Sequence, residues 1–285
     1  MKTESAASLM ENYITSGGYR EKKQVELHLK GDKKKGILGA QDQLRHCLKD
    51  HDSKRFEYVD LNLVAKFVTK RVYNWDYESL HEYLDDLGLF PLVAKIDNKA
   101  LKDDLATMDM LEDFRLPSTY YIKPSLNKLG KAVVEVSAAE FRSLGEGELL
   151  KTIKNLKVLY ERQTQIYEDL KSGMMQCDIL QSEKKVEHEY GSVSLIENTQ
   201  EYDMMEIYQH FGSDFLLKYS KVDNSLLDSY VFQGTIKSSE IEQFRTLHDV
   251  RLDFVVMALD VEQKILAQQQ KRRILTSLNL EKKRA

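Results

Sequence analysis

One cysteine and one histidine have a spacing that metal chemistry uses. Cys47 and His51 stand four residues apart, which on a helix places both side chains on one face, as in half of a zinc site. Zinc needs three or four ligands, and no second spaced pair of Cys or His residues accompanies this one. We therefore predict no metal site and interpret Cys47 as a partly buried thiol beside an exposed histidine.

Two further histidines have carboxylates nearby in the sequence, an arrangement that general acid–base catalysis uses. His81 and Asp85 are four residues apart on a predicted helix, and His188 stands between Glu187 and Glu189. Neighbouring carboxylates would raise the pKa of each imidazole, although surface ion pairing explains both arrangements. No nucleophile elbow, HExxH motif or glycine-rich dinucleotide loop occurs beside them. We predict no catalytic residues and no cofactor, and an enzyme without a recognisable motif is a further alternative.

A basic stretch offers contact with phosphate or with an acidic protein. Residues 20–55 hold eleven Lys and Arg and six Asp and Glu, a local charge of +5. Lys33, Lys34 and Lys35 stand at the tip of a predicted turn, 31–36, and are the candidate contact residues. A solvated loop is the alternative interpretation.

A second candidate for DNA contact is a winged helix-turn-helix. The order of elements fits a helix over 77–87, a turn at 88–91, a following helix, and wing strands over 119–122 and 132–136. However, residues 97–113, which would enter the major groove, contain six acids and two lysines, so they would repel phosphate. A DNA-binding regulator that uses this unit and the basic turn is therefore the alternative function.

The second half of the chain has the heptad spacing of a coiled coil. Steps of three and four residues connect a seam of six candidate partner-binding residues: Ile153, Leu156, Tyr160, Gln163, Tyr167 and Leu170. Seams of this kind bind other helices, so the pattern predicts dimerisation or the docking of a partner. An internal helical core is the alternative. Gln163 would fix the register in the first case and face solvent in the second.

The remaining patterns predict a helix-rich chain without internal repeats. Alternation of apolar residues predicts a strand over 25–30, and a second strand tendency appears over 186–195. Asp76 is a predicted helix cap, and a capping box at Ser239 opens one very long helix to residue 279. Apolar spacing predicts further helices over 40–51, 60–73, 100–114 and 199–211.

Composition limits the class of protein. The 285 residues include 42 Lys and Arg against 46 Asp and Glu, so the net charge of −4 gives no global attraction to nucleic acid or anionic membranes. Only 3 Pro and 13 Gly occur, too few for the turns of a many-stranded β fold. The longest apolar run, 254–259, is far short of the roughly 20 residues that cross a bilayer. No apolar signal segment follows the first residues, so we expect a cytoplasmic protein without membrane partners.

These observations predict a mainly α, α+β fold. We expect a flexible arm over 1–20, a mixed α+β region with a small β-ribbon over 21–140, and a long-helix region over 141–285 that forms a helical hairpin or coiled coil. The expected function is a non-enzymatic intracellular interaction or regulatory protein, oligomeric, that binds another macromolecule or itself through its long amphipathic helices.

Overall fold

The computed structural model describes residues 5–102 and 104–282, with side chains up to residue 279. The fold is mixed α/β, 56% helical and 22% strand, so helix dominates as expected but strand exceeds the one small ribbon that was predicted. Contacts divide the chain into two units, each assembled from separate stretches of sequence. The described residues of the first unit are 5–67, 120–197 and 254–259, and those of the second are 68–102, 104–119, 198–253 and 260–282.

Helices and strands are interspersed along the whole described chain. The helices are α1 (Ala6–Thr15), α2 (Gly18–Lys30), α3 (Ala40–Leu48), α4 (Tyr77–Asp86), α5 (Phe90–Val93), α6 (Leu105–Met110), α7 (Lys128–Val133), α8 (Glu146–Met175), α9 (Asp178–Glu183), α10 (Met204–Phe211), α11 (Ser213–Tyr219), α12 (Asn224–Phe232), α13 (Ser238–Glu242) and α14 (Leu259–Lys282). The strands are β1 (Arg55–Tyr58), β2 (Leu63–Trp75), β3 (Ala94–Ile96), β4 (Tyr120–Leu126), β5 (Lys185–His188), β6 (Gly191–Glu197), β7 (Ser220–Val222) and β8 (Arg245–Ala258).

The 30-residue helix α8 organises the first unit. It packs against α1, α2 and α3, and its two ends belong to two separate hydrophobic clusters. Ile153 near the start of α8 is buried with Leu44 of α3, whereas Met174 near its end is buried with Met10 of α1. The predicted long helix in this part of the sequence is therefore confirmed.

The start of the chain differs from the flexible arm that the sequence analysis expected. Residues 1–4 lie outside the described part, but α1 begins at Ala6 and is capped by Ser5, whose hydroxyl accepts from the Ser8 amide at 3.1 Å. Ala6, Met10 and Ile14 of α1 are fully buried. The spacing of four between these residues is that of a helix face, which anchors the segment in the core.

Two sheets contribute strands to the first unit. In one, β1 pairs with β2 from Arg55 opposite Lys66, and the strand order is β1-β2-β8. In the other, the order is β4-β6-β5, with Ile122 opposite Leu195. The predicted strands near 120 and over 186–195 are confirmed. The predicted ribbon partner, 132–136, is wrong: α7 ends there, capped at its start by Asn127.

Three predicted elements have the opposite type. The predicted strand over 25–30 is the end of α2, since Val25 and Leu29 are four apart and share its buried face. The predicted helix over 60–73 is β2, and the predicted helix over 239–279 is α13, β8 and α14 in succession. The helical hairpin built on that last helix is therefore not formed by residues 239–258. Alternation at Val250, Leu252, Phe254 and Val256 is the period-two signal that indicated a strand.

The second unit has one hydrophobic core. Leu80, Leu84 and Phe90 are fully buried there together with Ile207 and Leu216. The predicted helix over 77–87 is confirmed as α4: Asp76 accepts from the Ser79 amide at 3.1 Å. The predicted helix over 100–114 is shorter, because α6 spans only six residues.

A structural repeat, which the sequence analysis did not find, lies within this unit. Residues 94–98 read Ala-Lys-Ile-Asp-Asn and residues 220–224 read Ser-Lys-Val-Asp-Asn, and each stretch follows two helices. Leu101 and Leu227 occupy equivalent positions after the two stretches, and both are buried. The two copies share few identical residues and lie 126 positions apart, so local sequence patterns do not reveal the repeat.

The two copies are related by a local twofold axis between β3 and β7. The Asp97 amide donates to the Tyr219 carbonyl at 2.8 Å, and the equivalent Asp223 amide donates to the Val93 carbonyl at 2.7 Å. Exchanging the copies maps one bond onto the other. The strands pair antiparallel over three residues each, as such an axis requires.

Candidate interaction surfaces

The predicted seam of α8 faces the interior of the first unit. Ile153 is fully buried, Leu156 and Tyr160 pack against the same cluster, and Leu170 packs against the cluster at the other end of the helix. Lys30 of α2 donates to the Tyr160 hydroxyl at 2.7 Å and lies over its ring. The seam thus holds α8 to other helices of the same unit, which is the internal-core interpretation, and its contact with a partner stays a prediction.

The polar centre of the seam is buried without full hydrogen bonding. Gln163 is 6% exposed, and its Oε1 has no hydrogen-bond partner in the described structure.

Tyr13, Tyr19 and Tyr167 form a cluster, and the ring centroids of Tyr13 and Tyr167 are 5.9 Å apart. Burial raises the pKa of Tyr13 to about 12, and it also raises the pKa values of the other two phenols.

The predicted basic turn is a constrained loop at the end of α2. The Asp32 amide donates to the Ile37 carbonyl at 2.8 Å, and the Ile37 amide returns a bond of 2.9 Å. At the base of the loop, the backbones of Gly31 and Gly39 approach so closely that a Cβ on either would collide with the other. The loop therefore presents Lys33, Lys34 and Lys35, in a 3-10 turn, from a closed base.

Neither a metal site nor a catalytic site was predicted, and the structure places the candidate residues as follows. Cys47 is exposed, which corrects the expectation of a partly buried thiol, and no group of three metal-ligating side chains occurs among the described residues. Asp85 bonds to the Ser213 hydroxyl. Burial lowers the pKa of His81, opposite to the expected direction. Burial also lowers the pKa of His188, against the opposing charge of Glu11.

His81 nevertheless lines a cavity in the second unit. The cavity has a volume of about 550 Å³ and is also lined by Glu78, Glu82, Asp214 and Lys218. The His81 Nε2 atom is buried and has no hydrogen-bond partner among the described residues. The cavity therefore brings His81 close to three carboxylates and one amine, and burial, rather than these charges, lowers the pKa of the imidazole.

The predicted winged unit does not form. After α4 comes the four-residue helix α5 and then strand β3, so no second long helix follows the turn. The two predicted wing strands do not pair, since one pairs with β6 and the other contains the end of α7 and the irregular residues after it. Of the six acids counted against DNA contact, Asp103 lies outside the described residues.

An exposed edge strand is the surface that the sequence analysis missed. β8 is the last strand of its sheet, and its residues 245–253 belong to the second unit. Leu247, Val250 and Leu252 are 55%, 50% and 46% exposed. Asp249 accepts from Arg251 Nε at 2.8 Å and from the Val250 amide at 2.8 Å, and these bonds lower its pKa. The signal was the apolar and polar alternation that the long-helix interpretation overrode.

The last helix also exposes apolar side chains. Leu266, Ile274 and Leu278 of α14 are each about half exposed and lie on one side of the helix, at separations that are multiples of four. On another side, Arg272 lies over the Phe232 ring and Asn279 donates to the Phe232 carbonyl at 3.2 Å. α14 is thus held to α12 near its end while its outer side stays open.

No helix in the described part of the chain is long and apolar enough to cross a membrane. No protein-family model matches the chain, no curated protein matches its sequence, and no solved structure matches it.

Proposed function

We propose that this protein is non-enzymatic and acts by associating with polypeptide chains, in the first place with a second copy of itself, through strand β8. The observation that carries the proposal is the exposure of Leu247, Val250 and Leu252 on the edge of a sheet. An edge strand presents backbone donors and acceptors to another chain, and a long apolar edge favours such pairing. Self-association is one of the two forms of binding that the sequence analysis expected.

The charges along β8 suit an antiparallel pair of identical strands. If the pair is centred on Val250, Asp249 of each copy stands opposite Arg251 of the other, and the two Val250 side chains face each other. Opposite charges in directly facing positions contribute roughly 0.2–1 kcal/mol for each pair, and a twofold interface contains the pair twice. The bond between Asp249 and Arg251 within one chain would be exchanged for the same bond between chains.

The seam of α8 then stabilises the fold, and the edge of β8 binds the second chain. Residues such as Ile153 cannot contact a second chain without leaving their own core, which costs about 2–5 kcal/mol for a buried aliphatic side chain. Val250 is already half exposed. Its burial in a strand pair requires no such opening.

Sedimentation velocity over a range of concentrations tests this function. We expect the wild-type chain to show a reversible monomer–dimer equilibrium. Val250→Lys places two like charges opposite each other in the symmetric pair, so its dimer dissociation constant should rise at least about tenfold. Val158→Lys is the matched control, because Val158 is an exposed valine on α8 at 62% exposure. A wild-type monomer at every concentration, or equal dimerisation of both variants, would overturn the proposal.

A further inference from the structure

The basic loop connects two packed helices within the first unit, at a different place from the predicted helix-turn-helix. α2 leads into the loop, α3 follows it, and the antiparallel hairpin of β1 and β2 comes next. α2 and α3 pack against each other and against α8. Two helices and then a hairpin is an order of elements that duplex-binding proteins also use, although the loop that connects the helices here is longer, at nine residues.

The loop is preorganised to present its lysines. Its base is closed by Gly31 and Gly39, and the pair of bonds between Asp32 and Ile37 holds the two sides together. The Asp32 carboxylate accepts from the amides of Lys34 and Lys35 at 3.0 and 3.3 Å. A constrained loop loses little conformational entropy on binding, unlike a flexible run of lysines.

The positive charge of the loop is only partly neutralised, since among the described residues Lys35 alone of its three lysines lies near a carboxylate, 4.0 Å from Asp32 Oδ2. A cavity of about 380 Å³ beside it is lined by four lysines and two acids, a net charge of +2. Of the acids, Glu26 lies near Lys22 and Lys30, and Asp32 caps the loop backbone. Lys33 and Lys34 have no carboxylate within ion-pair distance in the described structure. His46 of the adjoining α3 is exposed, and so is Lys49, which follows the last residue of that helix.

We propose that this loop binds the phosphate backbone of double-stranded nucleic acid. The side chains around the loop fit a duplex better than a single strand or a lipid surface. The apolar residues that line the cavity, Leu27, Ile37 and Val136, are aliphatic and partly buried, so no aromatic ring is offered for the base stacking that single strands use. No large exposed apolar side chain accompanies the lysines, as insertion into a lipid surface requires. This activity is additional to self-association through β8 and does not depend on it.

Fluorescence anisotropy with a labelled 20-base-pair duplex of mixed sequence, from 50 to 200 mM KCl, tests the proposal on the full chain. Each phosphate that the protein neutralises contributes about 0.9 to the slope of log affinity against log salt. Replacing Lys33, Lys34 and Lys35 by Gln should therefore lower the slope by about 2–3 and weaken binding at 50 mM salt by about tenfold for each phosphate that is no longer bound. The matched control replaces three exposed lysines of the same unit, Lys131, Lys151 and Lys154, by Gln, with little expected effect.

A second variant tests the geometry without changing charge. Gly39→Ala forces a Cβ against the Gly31 backbone and should open the base of the loop. We expect weaker duplex binding in a variant whose folding is confirmed by circular dichroism. Absence of wild-type binding at 50 mM salt, or equal losses in the two lysine triples, would overturn the proposal. It would also fail if poly-glutamate of equal charge displaced the protein as well as unlabelled duplex does.

Discussion

Lys95 and Lys221 lie directly opposite each other on β3 and β7, and each bonds to the aspartate that follows the other lysine by two positions. Lys95 Nζ is 2.7 Å from Asp223 Oδ2, and Lys221 Nζ is 2.9 Å from Asp97 Oδ1. The two ion pairs are related by the local twofold axis of the repeat. The arrangement joins the two copies of the repeat within one unit.

Within the pair of Lys95 and Asp223, the aspartate should contribute more to stability than the lysine, because Asp223 also caps a helix. Asp223 also accepts from the Ser225 and Leu226 amides and so caps α12, whereas Asp97 accepts from the Lys99 amide alone. We expect Asp223→Ala to lower the free energy of unfolding by about 1–2 kcal/mol and Lys95→Ala by less than about 1 kcal/mol. Urea denaturation measures both. An equal or larger loss in the lysine variant would contradict the capping role.

The same ion pairs make stability depend on acid pH. Hydrogen bonds from Lys95 and Ser225 hold the pKa of Asp223 well below its usual range, and Lys221 lowers the pKa of Asp97. A carboxyl whose pKa is depressed in the folded state stabilises the fold above its unfolded pKa of about 4. That contribution is lost as the pH falls further. We expect Lys95→Met to flatten the decline of the melting temperature below pH 4, and an unchanged profile would contradict this.

The tyrosine cluster makes stability depend on alkaline pH in the opposite sense. The pKa of Tyr13 is raised to about 12, above its ordinary value of about 10, so the folded state resists ionisation. The contribution of the un-ionised Tyr13 to the free energy of unfolding is complete below pH 10 and is lost as the pH rises towards 12. The Tyr13 hydroxyl has no hydrogen-bond partner in the described structure. We expect Tyr13→Phe to stabilise the fold by about 1 kcal/mol at pH 7 and to reduce the alkaline loss, as followed by thermal unfolding.

The seam of α8 should behave as core. Ile153→Ala removes methyl groups from a fully buried site and should cost about 2–5 kcal/mol. Val158→Ala, on the exposed side of the same helix, should stay within about 0.5 kcal/mol. Equilibrium denaturation compares the two variants. A small cost at Ile153 together with a lower solution mass would instead support the seam as the site of partner binding.

Local signals identified some elements, while long-range pairing decided others. The cap at Asp76 and the apolar spacing of α8 are local, and both elements were predicted. β2 and β8 pair with each other from distant parts of the sequence, and the helical spacing of apolar residues was preferred there over their β-branched composition. The prediction of one long helix relied on a capping box at Ser239, but α13 is capped at Lys237, whose amide donates to Glu240, and the helix ends at Glu242.

The candidate surfaces show the same division. The three lysines at 33–35 stood out because a turn and a charge run are local features. The edge of β8 could not be recognised, because whether a strand lies at an edge depends on which other strands pair with it. The closure of the basic loop by Gly31 and Gly39 likewise depends on the meeting of two backbones eight positions apart.

A charge exchange on β8 tests the central claim, self-association through this strand, most directly. Asp249→Arg alone places an arginine opposite Arg251 of the other copy. Arg251→Asp alone likewise places an aspartate opposite Asp249 of the other copy. We expect either single variant to raise the dimer dissociation constant at least about fivefold in sedimentation velocity, and the double variant to restore dimerisation close to the wild-type value. Dimers that are unaffected by the single variants, or a double variant as weak as the singles, would contradict the account.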